Sequence, residues 1–268
     1  MFNIPNILTA LNLVCGLLSI AMSLTGLIEY AIYPIFGSLL FDYLDGFVAR
    51  LLKQQGELGK QLDSLADIVS FGVAPGMWML VLLPNFLIYD LRGYSIAEYD
   101  YFLGEETRMG FRQWVQEIWQ YKTFNYLPFL ALLIPVFSMF RLAKFNLDTR
   151  QTTSFIGLPT PANTLFFMIF PILFFSNQDT YTAQLFAKFF LNRYVAIGCI
   201  VVFSYLLISE LPLFSLKFKT FSFAENKVRY LFLSATLIAL IALKFLAIPI
   251  IIVLYLVFSI IEHNFVKK

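Results

Sequence analysis

The chain has 268 residues, of which 59% are hydrophobic, 18% aromatic and only 13% charged, with a mean hydropathy of +0.76. Soluble globular domains do not normally reach such values, so the sequence reads as one integral membrane domain, 1–268, with no linker, low-complexity tract or internal repeat to divide it. The net charge of +2 is gathered in clusters between apolar runs; it bears on membrane orientation and gives no reason to expect a nucleic-acid partner.

A bilayer core about 30 Å thick takes roughly 20 helical residues. Met1 to Pro5 carries no Lys or Arg and no small-residue cleavage site follows, so the first apolar stretch, 7–28, is expected to be retained as a helix and not removed as a signal peptide. Further helices are expected at 31–52, 63–83, 125–145, 161–176 and 192–213. Between the third and fourth, 85–124 carries Trp, Tyr and acids and is expected to be an extracytoplasmic loop hugging the interface. As one helix the tail 228–264 would be about 54 Å long, too long for a single crossing, so a hairpin turning near Lys244 and Phe245 is expected. The fold class is therefore all-α, a polytopic helical bundle of about eight segments. Cys15 and Cys199 lie far apart in apolar runs and are expected to be buried small hydrophobes, not a disulfide.

If the helices alternate, Arg50, Lys53, Lys60, Arg141, Lys144, Arg150 and the basic residues near both ends of the last hairpin fall on one side. The excess of Lys and Arg makes that side the cytoplasm. The same side receives the least expected feature of so apolar a chain, four aspartates in "FDYLDGFVARLLKQQGELGKQLDSLAD", residues 41–67. Each charge at the centre of a bilayer costs about 2.5 to 3.5 kcal/mol even on the lenient insertion scale. Asp42 and Asp45 are i and i+3 on one helix, and Asp63 and Asp67 are i and i+4 on the next, so each pair shares a face and the two pairs can converge. Converging carboxylates repel unless a cation lies between them. With oxygen donors and no His or Cys, the cations expected are hard divalent ions, Mg²⁺ or Mn²⁺, and not zinc. Gly46 and Ala49 leave space one turn from Asp42 and Asp45, Gly59 lies one turn before Asp63, and Arg50 can grip phosphate with its planar fork of donors. Metal, guanidinium and open space at a lipid–water boundary suit phosphate-ester chemistry on a lipid.

The spacing D-x-x-D-G-x-x-A-R, eight residues, then G-x-x-x-D-x-x-x-D, filled here by Asp42, Asp45, Gly46, Ala49, Arg50, Gly59, Asp63 and Asp67, resembles the signature of the CDP-alcohol phosphatidyltransferase family. "IPNILTALNLVCG", "LDSLADIVSFGVAP", "FRLAKFN" and "GLPTPA" are similar to its phosphatidylserine synthase branch. The resemblance implies about six core membrane helices, a homodimer and two divalent ions, Mg²⁺ or Mn²⁺. It further implies transfer of the phosphatidyl group from CDP-diacylglycerol to L-serine, with CMP leaving; the retained first helix and compact helical domain suit a bacterial cytoplasmic membrane. Carried onto this chain, Asp42, Asp45, Asp63 and Asp67 would hold the metals, with Asp67 as the general base. Asp42, Gly46, Ala49, Arg50 and Gly59 would line the CDP site.

Asn6 and Thr9 either cap the first helix or contact CDP, or do both. Arg141, Lys144 and Asn146 are either inside-positive anchors or part of an acceptor and phosphate pocket; many relatives carry Arg where Lys144 stands, which keeps the charge and loses the fork. Gly157, Pro159 and Pro161 are expected to shape a turn, and the single histidine, His263, stands far from any partner for a histidine-based triad. Two rival readings stay open. The acceptor would instead be inositol phosphate or glycerol 3-phosphate, or the chain would be a cation-coupled secondary transporter, which the absence of an inverted repeat disfavours.

Overall fold

The computed structural model describes residues 3–92, 111–112, 114–116, 126–148, 155–175, 181–214 and 226–263. Most of the expected 85–124 loop lies outside these, as do Arg108, Lys122, Arg150, Lys217, Lys219, Lys267 and Lys268.

Helix α1, Ile4–Leu24, starts at Asn3, whose side chain accepts the backbone N–H of Asn6 at 3.0 Å. The cap is thus neither Asn6 nor Thr9. Along α1 the buried positions are Pro5, Thr9, Asn12, Gly16, Ser19 and Ser23, while Ile4, Ile7, Leu11, Val14, Leu17 and Leu18 are exposed. Small and polar residues inside with apolar ones outside is the pattern of a helix that faces lipid. The buried stripe ties α1 to its neighbours. The Ser19 hydroxyl donates to the carbonyl of Ala31 at 2.6 Å, Trp78 Nε1 donates to Ser19 at 3.0 Å, and the hydroxyls of Ser38 and Ser70 both donate to the carbonyl of Asn12, at 2.9 and 3.0 Å.

Helix α2, Ile32–Leu51, runs back along α1 and ends at a tight turn containing Lys53, whose φ is 53°. Helix α3, Glu57–Asp67, passes through one π-helical stretch, Ile68–Val73, into α4, Ala74–Arg92. This third segment is longer than the expected 63–83 and takes helix into the first eight residues of the expected loop. Trp78, Met79, Val81, Leu82, Leu83 and Phe86 are all buried, which makes α4 the central helix. Close approach around the π stretch depends on glycine. A Cβ on Gly16 would lie 2.8 Å from Ser70 Cα, and one on Gly72 would lie 3.0 Å from Ser138 Cβ. Gly16→Val is therefore expected to destabilise the fold by about 1–3 kcal/mol, read as a lower unfolding temperature in detergent; an unchanged temperature would argue against this packing.

A 3₁₀ turn, Leu127–Leu132, leads into α5, Leu133–Leu147, which buries Ile134, Ser138, Arg141 and Leu142. Strand β1, Phe155–Ile156, pairs antiparallel with β2, Pro212–Leu213. This two-residue pair is a clasp on an all-α fold, and it ends the sixth expected segment, 192–213, short of its last residues. Gly157, at φ 75°, makes the expected turn into α6, Thr160–Phe167, followed by α7, Ile169–Phe175. A helix not expected from the sequence, α8, Tyr181–Phe190, meets α9, Arg193–Ile208, at a bend of 72°. Asn192 caps α9 by accepting from Tyr194 and Val195 N–H. Phe166 stacks on Phe203 with ring centroids 3.5 Å apart, and Phe170 meets Phe190 edge-on.

Helices α10, Lys227–Leu243, and α11, Ala247–Ile261, form the expected hairpin. Lys244, at φ 50°, reverses the chain; Arg229 then meets Glu262 at 3.5 Å and Phe232 meets Phe258 at 6.1 Å. By length and composition five helical stretches among the described residues suffice to cross a bilayer, or six with α8 and α9 as one bent span. The last of the five, Lys227–Ile261, is folded into these two antiparallel arms. Cys15, beside Gly37, and Cys199 are free thiols.

Candidate active site

Three carboxylates converge where α2 and α3 meet. Asp42, Asp63 and Asp67 each offer an oxygen, and these oxygens lie within 4.8 Å of one another. Among the described residues no Lys or Arg forms an ion pair with any of the four aspartates. Asp63 Oδ1 is buried without a hydrogen-bond partner. A divalent cation fits this arrangement on its own terms: clustered anionic oxygens, one of them orphaned, with no nitrogen or sulfur ligand. Asp45, the fourth expected ligand, stands slightly apart. It accepts the Thr9 hydroxyl at 2.5 Å and lines the adjoining cavity.

Helix α1 orients the cluster from the side. Thr9 fixes Asp45, and one turn on Asn12 donates from Nδ2 to Asp67 Oδ1 at 3.1 Å. Asn12 was not singled out in the sequence. Its signal was present, since Asn6, Thr9 and Asn12 recur every three residues along an otherwise apolar helix. The two serine hydroxyls on the Asn12 carbonyl clamp this point of α1 against α2 and the π stretch, so the orientation of Asp67 is set by four elements.

Beside the cluster lies a cavity of about 210 Å³ lined by Asn6, Thr9, Asp45, Gly46, Ala49 and Arg50 on one side and by Gln54, Gln55, Gly56, Gly59, Lys60 and Asp63 on the other. Every residue expected to line a CDP site falls on this wall except Asp42, which belongs to the carboxylate triad. Glycine makes the room: a Cβ on Gly46 would lie 3.6 Å from Arg50 Nη1, and one on Gly59 would lie 3.5 Å from Asn6 Oδ1. A small extra group is tolerated at these distances, whereas a branched side chain fills the space. Lys60 was read in the sequence only as an inside-positive residue, and Gln54 and Gln55 were not singled out.

The acceptor candidates divide. Arg141 is 6% exposed, lies 4.5 Å over the Phe145 ring and is within electrostatic reach of Asp67. Lys144 instead pairs with Glu210 at 2.5 Å and donates to the carbonyl of Ile208. Asn146 donates to Ser64 at 2.7 Å, and its carbonyl receives Lys60 at 3.0 Å. These two residues hold α5 to α9 and to α3.

With this geometry in hand, comparison with known proteins places the chain. A family model, CDP-alcohol phosphatidyltransferase, matches residues 2–96. A CDP-diacylglycerol–serine O-phosphatidyltransferase of Bacillus subtilis is 33% identical over 162 residues, covering 59% of this chain and 69% of the relative. The chain belongs to the CDP-alcohol phosphatidyltransferase family. A Helicobacter pylori protein of the same name is 28% identical over 200 residues, covering 74% of this chain and 68% of its own length. An archaetidylserine synthase of Methanothermobacter thermautotrophicus is 32% identical over 164 residues, covering 59% and 53%. The matched 2–96 takes in α1 to α4, the elements that carry the carboxylates and the cavity of this phosphatidyltransferase fold.

Proposed function

We propose that this protein transfers the phosphatidyl group of CDP-diacylglycerol to the hydroxyl of L-serine, giving phosphatidylserine and CMP. The observation that carries the reading is the carboxylate triad, three oxygens within 4.8 Å, set against a cavity walled by Arg50, Gly46 and Gly59. The relatives' names supply the acceptor. Asp42, Asp45, Asp63 and Asp67 would hold two divalent ions, Mg²⁺ or Mn²⁺, which when bound would supply positive charge to neutralise the pyrophosphate and ease the departure of CMP.

Arg50 and Lys60 bind phosphate oxygens in the cavity, and Asn6 and Thr9 meet the nucleotide from α1. Asp67, oriented by Asn12, accepts the serine hydroxyl proton as the serine oxygen bonds to the phosphatidyl phosphorus and the bond to CMP breaks. The acyl chains stay among the exposed apolar side chains of α1 and α2. The protein works as one domain, as a homodimer, in a bacterial cytoplasmic membrane. Its site faces the cytoplasm, supported by the Lys and Arg gathered at that end of the bundle.

Gly59→Leu is expected to raise the KM for CDP-diacylglycerol about 10-fold or more by filling the cavity, with serine KM little changed; an unaltered donor KM would place the nucleotide elsewhere. The reading itself is tested by supplying purified protein, CDP-diacylglycerol and Mn²⁺ with serine, glycerol 3-phosphate or inositol 1-phosphate in parallel. CMP release is expected with serine. Release with either phosphorylated acceptor in its place would overturn the acceptor and leave the donor site standing.

A further inference from the structure

Five buried polar atoms without a hydrogen-bond partner among the described residues lie on α1, α5 and α6. They are Asn163 Nδ2 and Oδ1, Ser138 Oγ, Arg141 Nε and Asn12 Oδ1. Asn163 and Ser138 are each 0% exposed. Leaving such a group unpaired costs about 1–3 kcal/mol, so a native fold concentrates them only where something else completes them.

The helices that carry these atoms, α1, α5 and α6, all pack on the π stretch that follows Asp67. Asn12 bonds Asp67 itself, and Arg141 lies within its electrostatic reach. Ser138 stands against Gly72. Thr160, Asn163, Thr164 and Phe167 form one buried face of α6, and on that face Thr164 donates to the Phe71 carbonyl at 2.8 Å. A π-helical turn inside an α-helix is itself frequent at functional sites.

We infer that Asn163 and Ser138, with Arg141, form the pocket that selects the acceptor by its amino-acid zwitterion. The inference rests on the serine reading above and adds residues that it does not use. The chemistry matches group by group. A guanidinium and an amide N–H suit a carboxylate, the Asn163 carbonyl oxygen and the Ser138 hydroxyl suit an ammonium, and the acceptor's own hydroxyl is then free to face Asp67. A phosphorylated polyol brings only neutral hydroxyls, and no ammonium, to the Asn163 oxygen.

The test uses the purified full chain with CDP-diacylglycerol and Mn²⁺, varying serine. Asn163→Leu, close in volume, is expected to raise serine KM about 10- to 100-fold while affinity for CMP and the KM for CDP-diacylglycerol stay within about two-fold. Ser138→Ala is expected to raise serine KM about three- to ten-fold. Competition with 3-hydroxypropanoate, which is serine without its ammonium, is expected to be poor against wild type and markedly better against Asn163→Leu, a change that a purely structural role would not produce. Unchanged serine KM in variants that bind CMP normally would overturn the pocket, as would parallel loss of serine and donor KM. If Asn163→Leu fails to bind CMP at all, Ser138→Ala decides. Failure of wild type to use serine sinks the serine reading itself, whereas serine turnover with an indifferent Asn163→Leu sinks the pocket alone.

Discussion

Replacing Asp67 with Asn is expected to lower turnover about 1,000-fold or more while affinity for CMP stays within a few-fold of wild type. Asp67 is buried at 9% exposure, and Asn12 already holds one of its oxygens. The carboxamide keeps an oxygen for that bond and fills the same volume, so the fold and the nucleotide wall are undisturbed. What disappears is the anionic oxygen able to take the acceptor's proton. Steady-state kinetics beside calorimetric titration of CMP separate the two effects, and near-normal turnover would remove Asp67 from the chemistry.

Asp63→Ala acts earlier in the sequence of events. Among the described residues the Asp63 Oδ1 atom has no hydrogen-bond partner, and its carboxylate is one of three that converge within 4.8 Å. Its loss leaves two carboxylates in the triad, with Asp45 beside it tied to Thr9, a weakened anionic oxygen set for a hard divalent ion. Mn²⁺ affinity is expected to fall about 100-fold or more, taking donor affinity and turnover down together. Calorimetric titration of Mn²⁺ into the protein without lipid substrate reads the first effect directly, and an unchanged ion affinity would contradict the assignment. Asp42→Ala is expected to behave in the same way.

The aspartate cluster was legible because helical periodicity alone puts Asp42 with Asp45 and Asp63 with Asp67, and because burying charge in so apolar a chain demands a partner. The C-terminal hairpin was legible for a similar reason, since 1.5 Å per residue makes its length incompatible with one crossing. Other features depend on contacts between segments remote in sequence. The π stretch is held by the Ser70 hydroxyl on the Asn12 carbonyl and by the approach of Ser138 to Gly72, neither of which local pattern encodes. Lys144 read as a phosphate ligand or an anchor until its partner, Glu210, 66 residues away, was seen. Asn163 sits within an apolar run as an isolated amide, and only its burial without partners marks it. Helix α8 was missed because its apolar stretch, broken by Gln184 and Lys188, is too short to read as a span.

The central claim is that an acceptor hydroxyl, brought beside Asp67, attacks the phosphatidyl phosphorus of a donor held in the Arg50 cavity. It is tested most directly with L-serine carrying a heavy-oxygen label in its hydroxyl, incubated with purified protein, CDP-diacylglycerol and Mn²⁺, followed by mass analysis of the lipid. The account predicts phosphatidylserine that retains the label in its phosphodiester, formed in equal amount to CMP. Unlabelled phosphatidylserine, or CMP release with no serine-containing lipid, would contradict it.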